Sequence, residues 1–203
     1  MTDARPEIVD GRRRRGRDNR DRIVAAMMAL VRAGEVRPSA EQVAARADVG
    51  LRTVFRHFED MDALYSEISR AMEAEVRALV DRPFEAADWR GRLIEEVERR
   101  ARMFEAIRPF RRAAVAVQHR SKFLKPDYAR AVAELRERLT RILPPAFRDD
   151  PARLEALDLV MSFEAWDRLR DAQALSPDRA KAVIEAAVAS ILDAAQASSS
   201  MSQ

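Results

Sequence analysis

The chain has 203 residues, of which 35% are charged and 47% are hydrophobic, and its formal net charge is +3. It contains no cysteine, which excludes disulfide and thiolate chemistry. The sequence has no glycine-rich phosphate-binding loop, no apolar run near the ~20 residues of a membrane span, and no signal-peptide pattern. We therefore expect a cytoplasmic protein that is not an enzyme and has no membrane partner.

The N-terminal segment, residues 1–18, is rich in Arg, Asp, Pro and Gly and poor in apolar residues, which predicts disorder. Seven arginines and two aspartates lie between Arg12 and Arg22, so positive charge is concentrated there. This segment makes Arg12, Arg13, Arg14 and Arg15 candidates for contact with DNA, where basic arms enter the minor groove. The alternative is a solvated tail that is attracted diffusely to phosphate.

The next elements are predicted from local start and stop signals. Apolar residues at helical spacing predict a first helix over residues 21–33, ended by Gly34. Ser39, followed three residues later by Gln42, forms a capping-box pattern at the start of a second helix. The residues at 48–50, Asp-Val-Gly, predict a tight turn into a third helix.

The third helix, predicted over residues 51–58, has two different faces. At about 100° per residue, Val54 and Phe58 point toward a core while Arg52 and Arg56 point the opposite way. Two short helices joined by a tight turn form a helix-turn-helix, which presents its second helix to the major groove of DNA. The candidate DNA-contacting residues here are Ser39, Leu51, Arg52, Thr53, Phe55, Arg56 and His57. The alternatives are a solvated helix face for the arginines and a structural role for His57.

The rest of the chain also predicts helices. They are expected over residues 61–80, from Trp89 to near Pro109, from Tyr128 to Ile142, from Leu154 to Leu169, and after Ser176, with Ser176 as N-cap and Pro177 in the first position. The predicted fold is all-α, with about nine helices. We divide the chain into a basic arm (1–18), a three-helix DNA-binding domain (19–60), a larger helical ligand-sensing and dimerisation domain (61–197) and a loose tail (198–203).

One stretch resembles the TetR family of bacterial transcriptional repressors. Its family motif, similar to I-A-x-x-A-G-V-S-x-x-T-L-Y-x-H-F, is matched by Val43-Ala44, by the stretch at 47–50, by Thr53-Val54-Phe55 and by His57-Phe58. The resemblance implies a homodimer that binds double-stranded operator DNA and is released by a small apolar or amphipathic ligand, with no cofactor. The alternatives are an activator, a ligand-independent member of the fold, or a helical interaction protein that has lost DNA recognition.

Four positions depart from the family pattern. Phe55 replaces the usual Tyr and Met61 the usual Lys, both of which contact phosphate in the family. Gly50 replaces the usual Ser cap, and Asp48 replaces the usual Gly. Because two phosphate donors are absent, the resemblance leads us to expect that the basic arm carries more of the DNA affinity than is typical.

Two further residue sets are predicted in the C-terminal part. The candidate ligand-pocket residues are Met103, Phe104, Phe110, Phe163 and Trp166, for which ordinary core packing is the alternative. The resemblance implies that the last two helices form a four-helix dimer interface, with Leu157, Met161, Val183, Ala187 and Ile191 as candidates. With two histidines and no cysteine, no metal site is predicted.

Overall fold

This computed structural model describes the backbone of residues 6–200 and the side chains of residues 16–194. Its helices are α1 (Pro6–Arg32), α2 (Ala40–Ala47), α3 (Leu51–His57), α4 (Met61–Val80), α5 (Trp89–Val117), α6 (Leu124–Ile142), α7 (Pro145–Arg148), α8 (Pro151–Val160), α9 (Phe163–Asp167), a π-helical turn (Arg168–Ala172) and α10 (Pro177–Ser200). No strand occurs within the described backbone, so the predicted all-α class is confirmed.

The N-terminal helix differs from its prediction. Helix α1 begins at Pro6, so the backbone of residues 6–18, which we predicted to be disordered, is helical. Proline is well accommodated in the first turn of a helix, and arginine is a good helix former. The segment leads directly into the amphipathic helix that follows. It therefore lengthens an existing helix and does not have to nucleate a new one. The predicted loose tail also overlaps a helix, because α10 ends at Ser200.

Helix α5 also departs from its prediction. It continues through Pro109 to Val117, where we expected it to stop near the proline. Proline removes one backbone hydrogen bond from a helix interior, but burial of apolar side chains can offset that cost. Buried residues occur on both sides of it, with Phe104 before and Phe110 and Ala113 after.

The predicted single helix from Leu154 to Leu169 is instead α8, α9 and the start of a π-helical turn. The break lies at Ser162, whose Oγ accepts a hydrogen bond from the amide of Ala165 at 3.1 Å and donates one to the carbonyl of Leu159 at 2.7 Å. Ser162 is therefore the N-cap of α9. The predicted start of the last helix is confirmed, because the Ser176 hydroxyl caps the amide of Arg179 at 3.3 Å.

The chain divides into two compact units. Unit 1 comprises Met1–Glu73 and Pro109–Asp127, and unit 2 comprises Ala74–Arg108 and Tyr128–Gln203. In unit 1, α1 packs against α2 and α3. The fully buried side chains of unit 1 include Ile23, Met27, Val43, Val54 and Leu64.

Unit 2 has its own hydrophobic core. Helices α5, α6, α8 and α10 each contribute fully buried residues, including Leu93, Leu139, Leu157 and Val188. Helix α8 packs against both α7 and α10. None of the helices in the described part of the chain is long and apolar enough to cross a membrane.

Candidate nucleic-acid interface

The helix-turn-helix has the geometry that its local signals predicted. The Ser39 hydroxyl accepts a hydrogen bond from the amide of Gln42 at 3.2 Å, and the Gln42 side chain accepts one from the amide of Ser39 at 2.7 Å. This capping box starts α2. The turn contains Asp48 in the left-handed conformation, at φ 50° and ψ 54°, which Asp tolerates better than most residues. Gly50 is the N-cap of α3.

Helix α3 has one buried and one exposed face. Val54 is 1% exposed, and Phe58, which follows the helix, is 3% exposed. Thr53 is half-buried on the flank. The exposed side chains are Leu51, Arg52, Phe55 and Arg56. Helix α3 therefore has its buried and exposed faces where the sequence predicted them. The contact of the exposed side chains with DNA stays a prediction.

Arg20 belongs to the basic cluster in the sequence, but its side chain holds unit 1 together. Its guanidinium donates to the backbone carbonyl of His57 at 3.2 Å and to the carboxylate of Glu67 at 2.8 Å. It also lies 4.6 Å from the centroid of the Phe58 ring. Arg20 therefore joins α1 to the C-terminal end of α3 and to α4.

Arg22, from the same cluster, also has an intramolecular role. Its guanidinium donates to the backbone carbonyl of Asp48 at 3.0 Å and to the Asp48 carboxylate at 3.2 Å. Both groups are exposed, so the ion pair adds little stability by itself. The contact places Arg22 beside the turn between α2 and α3. No local pattern predicts this contact, because Arg22 and Asp48 are 26 residues apart in the chain.

His57 is half-buried, and its Nε2 atom is buried without a hydrogen-bond partner among the described residues. Burial lowers the pKa of His57, and the positive charges of Arg56 and Arg20 lower it further. These effects favour the neutral form of the imidazole. A contact between His57 and DNA phosphate stays a prediction.

Two predicted features concern the expected contact with DNA phosphate. The side chains of Arg12, Arg13, Arg14 and Arg15 lie outside the described residues, so their role as a DNA-contacting arm stays a prediction. Phe55 is 47% exposed, and Met61, half-buried, is the first residue of α4. Neither side chain can donate a hydrogen bond to phosphate.

Three of the candidate pocket residues meet in unit 2. The Phe104 and Phe163 rings pack edge to face with centroids 5.6 Å apart, and the Trp166 ring lies 6.5 Å from that of Phe104. Met103 is buried in the same core. Phe110 belongs to unit 1, where the guanidinium of Arg32 lies 5.3 Å from its ring.

Phe104 and Trp166 also line a cavity of about 10 Å³. Such a volume holds about one water molecule. The cavity is therefore too small, in this conformation, for an organic ligand. The other lining residues are Val97, Arg100, Ala101, Val160, Met161, Ser162 and Ile184.

A buried ionic network lies beside this cavity and was not predicted. Arg100 donates from Nε to Glu96 at 3.0 Å, and it also donates to the carbonyls of Met161 and Leu135. Arg138 donates to both carboxylate oxygens of Glu96 at 3.4 Å. One feature of the sequence was consistent with this network. Glu96 and Arg100 lie four residues apart on α5, on the same side of the helix as the apolar Val97.

A second ionic cluster joins α5 to the segment around α9. The carboxylate of Glu105 accepts hydrogen bonds from the indole of Trp166 at 2.8 Å and from Arg170 at 2.8 and 3.1 Å. Burial raises the pKa of Glu105, but these donors outweigh burial and lower the pKa overall. Arg108 donates to Asp167 at 2.9 Å in the same region. The orientation of Trp166 is thus fixed from α5.

The candidate dimer-interface residues fall into two groups. Leu157 is 0% exposed and Met161 is 2% exposed, so both belong to the core of one chain rather than to its surface. Their helical spacing could not distinguish burial in one chain from burial against another. Val183 is 45% exposed on α10, and Ala187 and Ile191 are half-buried on the same helix.

Comparison with known proteins identifies the fold. A scan against protein-family models finds no match, and a search of curated proteins finds no significant match. Among solved structures, a transcriptional regulator from Rhodococcus sp. Rha1 is similar, with a TM-score of 0.67 and 18% identity over 86% of this chain and 96% of that one.

The multidrug binding protein EbrR is also similar. Its complex with ethidium gives a TM-score of 0.56 and 22% identity, covering 83% of this chain and 97% of that one. Its complex with imidazole gives 0.54 and 20%, covering 83% and 93%. At these identities the likeness shows the fold alone, which is an all-α, TetR-like fold.

Proposed function

We propose that this chain is a homodimeric, sequence-specific DNA-binding transcriptional regulator, and that it represses transcription until a small ligand binds. The observation that carries the proposal is the two-faced α3. Val54 fixes its inner side in the core of unit 1, while Arg52 and Arg56 extend from its exposed side. The similar solved structures, a transcriptional regulator and a multidrug binding protein, support the same assignment.

The DNA-reading role follows from the chemistry of the exposed face. An arginine donates two parallel hydrogen bonds to a guanine edge in the major groove, and each such pair contributes about 1–3 kcal/mol of discrimination between bases. Leu51 and Phe55, also exposed, offer apolar contact to thymine methyl groups. The helix is therefore suited to read sequence rather than only to bind phosphate.

The decisive experiment selects preferred sequences from a random DNA library and measures their affinity by fluorescence anisotropy. We expect a preferred sequence with two related half-sites. The R52A/R56A double variant should lose at least a hundredfold in affinity for that sequence. A charge-matched control, R77A/R148A, removes two exposed arginines of unit 2 and should change affinity by less than threefold. If the wild-type protein prefers no sequence over random DNA, the proposal is wrong.

Dimerisation is proposed through the exposed apolar residues of α8 and α10. Leu159 is 67% exposed on α8 and Val183 is 45% exposed on α10. Light scattering after size exclusion should give a dimer for the wild type and a monomer for L159R/V183R. The matched control I94R changes an equally exposed residue of α5, 43% exposed, and should remain dimeric. A monomeric wild type would contradict this part of the proposal.

Repression and ligand release are proposed to work through a shift between two conformations. A ligand can change DNA affinity only if it binds one conformation more tightly than the other. Helix α4 is the element that we propose carries the change, because its residues belong to unit 1 up to Glu73 and to unit 2 from Ala74. A reporter gene behind the selected sequence should be silenced by the wild type and not by R52A/R56A. Increased reporter expression would instead indicate an activator.

A further inference from the structure

The exposed side of α3 has two rows of side chains with different chemistry. Leu51 and Phe55 are four residues apart, as are Arg52 and Arg56, so the members of each pair are neighbours along the helix. In the apolar row, Leu51 is 38% exposed and Phe55 is 47% exposed. The basic row lies beside it, because consecutive residues of a helix differ by about 100°. A partner that covers this side of α3 therefore has to match both an apolar and a cationic surface.

The basic row indicates what kind of partner that is. Arg20, Arg22 and Arg37, elsewhere in unit 1, all donate hydrogen bonds to groups of their own chain. Arg52 and Arg56 have no hydrogen bond or ion pair with any of the described residues. Two guanidinium groups without intramolecular partners attract a polyanion, and the partner already proposed, double-stranded DNA, is a polyanion.

The phenyl ring of Phe55 is not engaged within its own chain. It makes no ring–ring or cation–π contact among the described residues, whereas the Phe58 ring is 3% exposed and lies against Arg20. A phenyl ring cannot donate a hydrogen bond to phosphate. Contact with phosphate would also remove water from a charged oxygen without replacing its hydrogen bonds. When DNA covers α3, the ring is therefore best buried against an apolar group.

The major groove offers one such group on its base edges. Thymine presents its C5-methyl group there, whereas the remaining readable features of the four bases are hydrogen-bond donors and acceptors. Phenylalanine makes apolar contact with this methyl group, and arginine pairs with the O6 and N7 atoms of guanine. A groove segment that contains both thymine and guanine would therefore match the two rows of α3.

We infer that Phe55 is a specificity-determining residue, whose ring reads the C5-methyl group of a thymine in each half-site of the target DNA. This inference rests on the proposed function and names the chemical group that one side chain recognises. It also gives a role to the residue that replaces a tyrosine of the family pattern. Phe55 then contributes to the choice of sequence and not to phosphate binding.

The test removes one methyl group at a time from the selected DNA sequence. Each thymine is replaced in turn, at the same position of both half-sites, by deoxyuridine, which keeps the base pair with adenine. Affinity is measured by fluorescence anisotropy on the full-length protein at one fixed salt concentration. Burial of one methyl group corresponds to about a fourfold change in affinity. We therefore expect one position at which deoxyuridine weakens binding by about fourfold per half-site.

Two comparisons connect this effect to the methyl group and to Phe55. In the wild type, 5-bromodeoxyuridine at that position should restore the affinity, because its bromine is close to a methyl group in size. In F55A, deoxyuridine at that position should change the affinity less than twofold. F123A is the matched control, since Phe123 is 46% exposed and lies outside α3, and it should keep the full methyl effect. Because the Phe55 side chain is exposed, F55A should keep the unfolding midpoint of the wild type in urea.

Two results would overturn the inference. One is a preferred DNA sequence in which no thymine can be found whose methyl group affects binding. The other is an unchanged methyl effect in F55A, and its loss in L51A would then assign methyl recognition to Leu51. Either result leaves the proposed function intact, because the protein still prefers a sequence. A wild-type protein without any sequence preference would instead contradict the proposed function, and this inference with it.

Discussion

Replacing Arg20 by Met tests whether this arginine stabilises α3 or contacts DNA. The basic cluster of the sequence suggests DNA contact, but the Arg20 guanidinium is bonded to the carbonyl of His57 and to Glu67 and stacks on Phe58. Methionine keeps the apolar stem and removes the charge and the donors. We therefore expect α3 to open more often, with little change in the electrostatics of DNA binding.

The magnitude follows from the three contacts. The hydrogen bond to the carbonyl contributes about 0.5–1.5 kcal/mol. The cation–π contact contributes about 0.5–1 kcal/mol. The ion pair, with side chains 37% and 25% exposed, contributes at most about 1 kcal/mol. A total near 2 kcal/mol corresponds to a change of about thirtyfold in the opening equilibrium.

Hydrogen exchange measured by mass spectrometry on peptides covering residues 51–58 reports that opening directly. R20M should exchange about thirtyfold faster there. The matched control is R17M, because Arg17 is exposed on the same helix, and it should leave the exchange rate unchanged. The slope of log affinity against log salt should be unchanged in R20M. Unaltered exchange in R20M, together with a shallower salt slope, would show that Arg20 contacts phosphate and would refute the reasoning.

Three smaller perturbations test other contacts. S39A removes the capping box with Gln42 and should cost about 1 kcal/mol, measured as faster exchange in α2; an unchanged rate would contradict the role of the cap. Because burial lowers the pKa of His57, the unfolded chain takes up the proton first as the pH falls, so stability should decrease below the ordinary value of about 6.5. Urea unfolding between pH 5 and 7.5 should show that decrease in the wild type and a smaller one in H57Q. G91A puts a methyl group 2.6 Å from an alanine Cβ and should cost about 1–2 kcal/mol in urea unfolding, whereas G50A, with no atom within 4 Å, should cost less than half as much.

The helix-turn-helix was predictable because its determinants are local. The cap at Ser39, the left-handed turn at Asp48 and the helical spacing of Val54 and Phe58 each involve residues a few positions apart. Such signals act before any tertiary contact forms, so the sequence alone contains them. The same holds for Ser176 and the start of α10.

The features that were missed depend on distant parts of the chain. A glutamate and an arginine four residues apart, as in Glu96 and Arg100, usually form a solvent-exposed pair on a helix. Their burial follows from acceptors on α6 and at the end of α8, which no local pattern indicates. Leu157 and Met161 were assigned to a surface for the same reason, since apolar spacing does not show what covers a helix face.

Under the proposed function, the separation of roles on α3 makes its DNA-binding preference open to redesign. The side chains that fix the helix, Val54 and the neighbouring Phe58, differ from the four that extend from it. A library that varies only Leu51, Arg52, Phe55 and Arg56 would therefore sample new target sequences while the framework of unit 1 stays folded. Changing the DNA specificity of this chain would then require substitutions at these four positions alone.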